Sequence, residues 1–134
     1  MVQRGKRPRI EAPSSLSRAY ELTQRASRLG FDWPEIGGVL RKMDEEVEEL
    51  REALSLQDRN RVREEIGDLL FVVVNIARFL RIDPEEALGK TIEKFNSRFR
   101  YIEKSLTEQG KSIRHSSLAE MERLWQESKK KRIK

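Results

Sequence analysis

Glu45, Glu46, Glu49, Glu65 and Asp68 fall in two short stretches, KMDEEVEEL at 42–50 and REEIGDLL at 63–70. Acidic runs of this kind either solvate an outer helix face or converge on a hard cation, which takes oxygen ligands. Glu46 and Glu49, and again Glu65 and Asp68, are three residues apart, so each pair occupies one side of a helix one turn apart. Two antiparallel helices joined by the short connection SLQDRN at 55–60 would set the first pair opposite the second. Four carboxylates within about 6 Å of one another repel by roughly 3 kcal/mol per pair at an effective dielectric of 20. Summed over all pairs, this exceeds the roughly 5–15 kcal/mol that holds a domain folded, so a converged cluster requires raised pKa values, basic partners or bound cations.

Magnesium, or manganese in its place, suits such a cluster because it uses a few carboxylates and keeps positions for water and phosphate oxygens. A di-iron bundle needs Glu-x-x-His pairs, and the single histidine, His115, is remote from these acids. Thiolate zinc is excluded by the absence of cysteine. Lys94 and Arg98 share one flank of a later helix with Tyr101, and Lys42 precedes the acids. Together they supply charge for a phosphate-bearing substrate, or they are ordinary surface cations. Asn75 stands seven residues after Asp68, nearly in register with it and inside an apolar run. Its amide either fixes helix register through a hydrogen bond or touches a ligand.

The elements that must carry these residues are helices. A first helix is expected over about 15–29, with Gly30 as a left-handed cap. GFDWPE then reads as the start of a second helix reaching about residue 54, with Asp32 as cap, Glu35 as capping-box partner, Pro34 in the first turn and Phe31 stapled to Ile36. Its apolar seam is Leu40, Met43, Val47, Leu50 and Leu54; Lys42, Glu45, Glu46 and Glu49 fall in an arc of roughly 100° beside it, with Glu46 half-buried at the margin. A third helix over about 61–80 has the seam Val62, Ile66, Leu69, Val73, Ala77 and Leu80, flanked by Glu65, and is apolar almost all round from Leu69. Asp83, Pro84 and Glu86 open a fourth helix with the seam Leu88, Ile92, Phe95, Phe99, Ile102 and Leu106, closed by Gly110. Ser117 and Glu120 start a last helix carrying Leu118, Met121, Leu124 and Trp125. The fold class is therefore all-α, an antiparallel helical bundle of four to five helices.

Composition agrees: hydrophobic residues are 37% and charged residues 38%, the balance of amphipathic helices with charged outer faces. The net charge of +5 comes from the termini, since residues 1–13 carry +3 and residues 129–134 carry +5, leaving the body at −3. A basic leader over 1–14, a helical domain over 15–128 and a basic tail over 129–134 are the expected organisation. A nucleic-acid partner is not favoured by an acidic body. The apolar run 69–74 is too short to span a bilayer and no signal peptide is evident, so a cytoplasmic protein without a membrane partner is expected.

The pattern Glu45-Glu46-x-x-Glu49 followed by Glu65-x-x-Asp68, with GFDW at 30–33 and KFNSRF at 94–99, resembles the MazG-type nucleoside triphosphate pyrophosphohydrolases over about residues 16–128. Many members carry two such modules in tandem; this chain holds one, resembling the second. The resemblance implies that Glu46, Glu49, Glu65 and Asp68 hold magnesium, that Lys42, Lys94 and Arg98 meet a triphosphate, and that Trp125 lies near the base or packs in the core or at a dimer interface. It implies hydrolysis between the α and β phosphates to a nucleoside monophosphate and pyrophosphate, with Glu45 or Glu46 orienting the water, in a homodimer or higher oligomer that completes the bundle. The alternatives are a narrower deoxyuridine, deoxycytidine or phosphoribosyl-ATP pyrophosphatase of the same superfamily, and a non-catalytic helical interaction module.

Overall fold

The computed structural model of the chain describes residues 14–131. These contain five α-helices and no strand: α1 (Ser15–Arg28), α2 (Ile36–Ser55), α3 (Arg59–Phe79), α4 (Pro84–Glu108) and α5 (Leu118–Lys130), with a 3-10 turn at Ile113–His115 before α5. The fold is all-α, as the periodicity requires. Most of the expected leader and the end of the tail lie outside the described residues; Ser14 caps α1, and Lys129 and Lys130 occupy the last turn of α5. No described helix is long and apolar enough to cross a membrane.

Two compact units divide the chain, Met1–Glu85 and Glu86–Lys134. In the first, α3 packs against both α2 and α1. In the second, α4 and α5 share a core of Ile102, Leu106 and Leu124, bordered by Tyr101, Ile113, Met121 and Trp125.

Starts and stops follow local chemistry. Side chains of Ser14, Asp58 and Ser117 accept bonds from the N–H groups of Ser17, Arg61 and Glu120, satisfying donors that have no intrahelical partner. Asp83 accepts from the N–H of Glu85. Each of α1 to α4 closes by the same pair of backbone bonds, as at Phe31 N–H to Ala26 O (2.9 Å) and Gly30 N–H to Ser27 O (2.9 Å), around one left-handed residue. That residue is Gly30 or Gly110 in two cases, but Gln57 and Arg81 in the others.

The start of α2 departs from expectation. Its cap residue is Glu35, with no side-chain bond to the helix, and Phe31 is 83% exposed rather than stapled to Ile36. Asp32 is drawn away because a guanidinium is a stronger partner for a carboxylate than a backbone amide, and Arg78 on α3 supplies one.

The seams also shift. Leu40, Leu54, Ile66, Val73, Leu80, Leu88, Ile92 and Phe95 are exposed, whereas Val39, Glu46 and Ala53 on α2 and Glu65, Val72, Val74, Asn75 and Arg78 on α3 are buried. A helix that is apolar all round does not declare its inner face; on α3 the pairing of Arg78 with Asn75 and Asp32 marks the side that turns inward.

Candidate active site

The three-residue turn between α2 and α3 returns the chain on itself, so the acidic flank of one helix meets that of the other. Glu46 and Glu49 from α2 and Glu65 from α3 each place a carboxylate oxygen within 4.8 Å of the others. Glu46 and Glu65 are more deeply buried than a core margin implies, at 5% and 7% exposed, while Glu49 is exposed. One oxygen of each buried carboxylate, Oε1 in both, has no hydrogen-bond partner. Buried acceptors left unpaired are costly, and a hard divalent cation is the partner that their chemistry fits.

Electrostatics carry the same strain. Burial, first, and then the adjoining Glu46 carboxylate and the charges of Glu49 and Asp68 push the Glu65 carboxyl above its ordinary 4.5. Lys42 offsets part of this, with Nζ 3.1 Å from Glu46 and 3.6 Å from Glu45. Its ammonium is pushed above its ordinary value mainly by the bond to Glu46. Glu45 itself keeps a side chain 66% exposed.

Asp68 stands outside the tight trio and lines an adjoining cavity of about 510 Å³ within the first unit. Lys42 and Glu46 share its polar rim; Leu22, Trp33, Phe71 and Val72 supply apolar wall; Asp32, Asn75 and Arg78 supply a second polar region. Trp33 is set by a close approach: a Cβ on Gly38 would lie 2.7 Å from its Cδ1. Gly38 thus makes room for the indole.

Asn75 is engaged in a network. Its Oδ1 accepts from Arg78 Nε (3.2 Å) and Nη2 (3.0 Å), and the guanidinium also grips Asp32 through Nη1 (3.0 Å) and Nη2 (2.8 Å). These bonds to Arg78, then Ser27 and the Trp33 N–H, hold Asp32 at about 2 against the opposing effect of burial. Asp32 and Arg78 were not singled out as site residues by the sequence reading. A lone arginine inside LLFVVVNIARFL was the available signal, because a cation on a buried helix face requires a partner.

Lys94, Arg98 and Trp125 belong to the second unit. Arg98 lies over the Trp125 ring at 5.3 Å, and Phe95 meets the same ring at 5.7 Å. Lys94 is exposed.

An all-α chain whose paired helices gather acids beside a cavity is the class this geometry defines. Residues 37–102 match the family model described as the MazG nucleotide pyrophosphohydrolase domain, and the chain belongs to that family. It is 39% identical over 115 residues to a Thermotoga maritima protein named nucleoside triphosphate pyrophosphohydrolase/pyrophosphatase MazG, an alignment covering 86% of this chain and 44% of the relative. It is 38% identical over 121 residues to the nucleoside triphosphate pyrophosphohydrolase of Escherichia coli K12, covering 89% and 46%. Uncharacterized protein YabN of Bacillus subtilis is 48% identical over 68 residues, 51% of this chain and 14% of that protein. The chain spans less than half the length of each of these three relatives.

Proposed function

We propose that the chain hydrolyses nucleoside triphosphates between the α and β phosphates, releasing a nucleoside monophosphate and pyrophosphate, with magnesium or manganese as cofactor. The observation that carries this reading is the pair of buried, unpartnered oxygens on Glu46 and Glu65 within a trio of carboxylates. The names of the Thermotoga and Escherichia relatives support the substrate class.

Glu46, Glu49, Glu65 and Asp68 would hold the cation. When bound, it polarises phosphoryl oxygens and lowers the pKa of a water. Lys42 sits against Glu46 and brings an ammonium to the cavity rim, where a phosphate takes up its charge. Asn75, in the cavity wall, meets the nucleoside. Glu46 is committed at the cluster, whereas Glu45, solvent-facing and 3.6 Å from Lys42, would orient the water and pass its proton outward. Exposed apolar residues on one side of α3 (Ile66, Leu70, Val73) and of α4 (Leu88, Ile92, Phe95) support a homodimer or higher oligomer that covers them.

The test is pyrophosphate release across a panel of ribo- and deoxynucleoside triphosphates and phosphoribosyl-ATP, with and without EDTA. Glu49→Gln and Asp68→Asn should abolish it with helical circular dichroism intact; undiminished activity in both removes the cation assignment. Turnover of one panel member alone would mark a narrow hydrolase, and turnover of none would leave a helical interaction module. Sedimentation showing a monomer would remove the oligomer.

A further inference from the structure

The cavity beside the acids contains an amide whose orientation is not free. Asn75 is 5% exposed, and its Oδ1 accepts two N–H bonds from Arg78, which has only donors to give. The amide therefore cannot turn over without placing its NH2 group against the guanidinium. Arg78 is in turn held by both oxygens of Asp32, and Asp32 is saturated: its two oxygens take four bonds, two from Arg78, one from the Ser27 hydroxyl and one from the Trp33 N–H. The carboxylate that might have received a ligand's amino group has no lone pair to spare. Asn75 Nδ2 donates no bond among the described residues, and Asn75 lines the cavity. What this region offers a ligand is a donor.

Its distance from the acids is set by the helix. Asn75 lies two turns beyond Asp68 on α3, about 10 Å along the axis at 1.5 Å per residue. That span matches the reach from the α-phosphate of a nucleotide across its sugar to the far edge of its base. Trp33 and Phe71 supply aromatic wall to the same cavity.

We propose that Asp32 and Arg78 act as positioning residues that lock the Asn75 amide with its NH2 toward the cavity, so that the site prefers bases with a keto oxygen at the pyrimidine 4-position or purine 6-position over bases with an amino group there. This deepens the reading above and rests on it for the placement of the phosphates. An amino group against Asn75 would set donor against donor and leave both unmatched, which costs a buried site at least about tenfold in affinity.

The experiment compares kcat/KM for UTP and CTP, and for GTP and ATP, in the wild type, Asn75→Asp and Arg78→Lys, with titration calorimetry of UTP and CTP in calcium as a readout independent of turnover. The wild type should favour UTP over CTP and GTP over ATP by about tenfold or more. Asn75→Asp, which keeps an acceptor on Arg78 and turns a second one to the cavity, should erase or reverse both ratios. Arg78→Lys, which can no longer fix the amide, should bring them toward one. A change of fold or stability scales both members of a pair together, so the ratio isolates the positioning role. Wild-type ratios near one, or ratios unchanged in Asn75→Asp, overturn the proposal even if hydrolysis is brisk. Absence of turnover with the calorimetric preference intact overturns the hydrolase reading and leaves the pocket standing. Absence of both turnover and binding overturns both.

Discussion

Substituting Asp32→Asn should destabilise the first unit by about 3 kcal/mol. The guanidinium of Arg78 is 8% exposed and has two kinds of partner, the Asn75 amide oxygen and both oxygens of Asp32. Removing the charge from Asp32 while leaving Arg78 in place strands a buried cation, which typically costs 3–5 kcal/mol. The lower end applies because Asp32 is 18% exposed and Asn75 still accepts two bonds. The carboxyl's own displacement points the same way. Moved from its ordinary 3.8 to about 2, it favours the ionised folded state by about 1–2 kcal/mol once solvent screening is allowed for. Because the folded pKa is depressed, this contribution is complete above about pH 4 and is lost as pH falls through 2. Urea unfolding at pH 7 and at pH 2.5 measures both quantities: the gap between wild type and Asp32→Asn should be near 3 kcal/mol in the first and shrink in the second. Replacing the pair together, as Asp32→Leu with Arg78→Met, should recover only part of the loss, since it leaves Asn75 Oδ1 without its donor. A difference below about 0.5 kcal/mol at pH 7 would refute the reasoning, since it would mean that the pair contributes no more than an exposed ion pair.

Other outcomes follow from the same geometry. Without divalent ions, the raised Glu65 carboxyl means that the folded state binds more protons than the unfolded one, so stability should fall as pH rises from its ordinary 4.5 through its folded value. Glu65→Gln should flatten that slope in melting temperatures measured across pH in EDTA, and an unchanged slope would assign it elsewhere. Gly38→Ala should destabilise by about 1–3 kcal/mol by thermal unfolding, because the new Cβ would lie 2.7 Å from Trp33 Cδ1; a gain near the 1 kcal/mol of helix propensity would show that the indole moves freely. Gln57→Gly should stabilise by about 1 kcal/mol, relieving a left-handed residue at φ 56° that closes α2, with loss of stability as the contrary result.

Much of the fold was legible because it rests on local rules. Helix periodicity, the start of α5 at Ser117, and the closing glycines at 30 and 110 are short-range effects readable from neighbours a few residues apart; the cap at Asp58, inside what reads as a polar connection, emerged only in the structure. The acids were legible in the same way: spacing of three places Glu46 with Glu49, and a short connection brings Glu65 to them. The left-handed closures at Gln57 and Arg81 were not, since neither residue type advertises that conformation.

By itself, then, the chain's sequence determined an all-α protein with an acidic constellation on two facing helices. Tertiary structure decided which face of each helix turned inward, and it did so against the simple hydrophobic count. Exposed Ile66 and Val73 contrast with buried Asn75 and Arg78 because α3 has more apolar surface than one face can bury, so the pairing of Arg78 with Asn75 and Asp32 settles the rotation. The clearest case is Asp32, read locally as a helix cap and found forty-six residues away from its partner in sequence, clamped on Arg78. A local rule ranks the nearest donors; only the packed chain brings a stronger, distant one within reach.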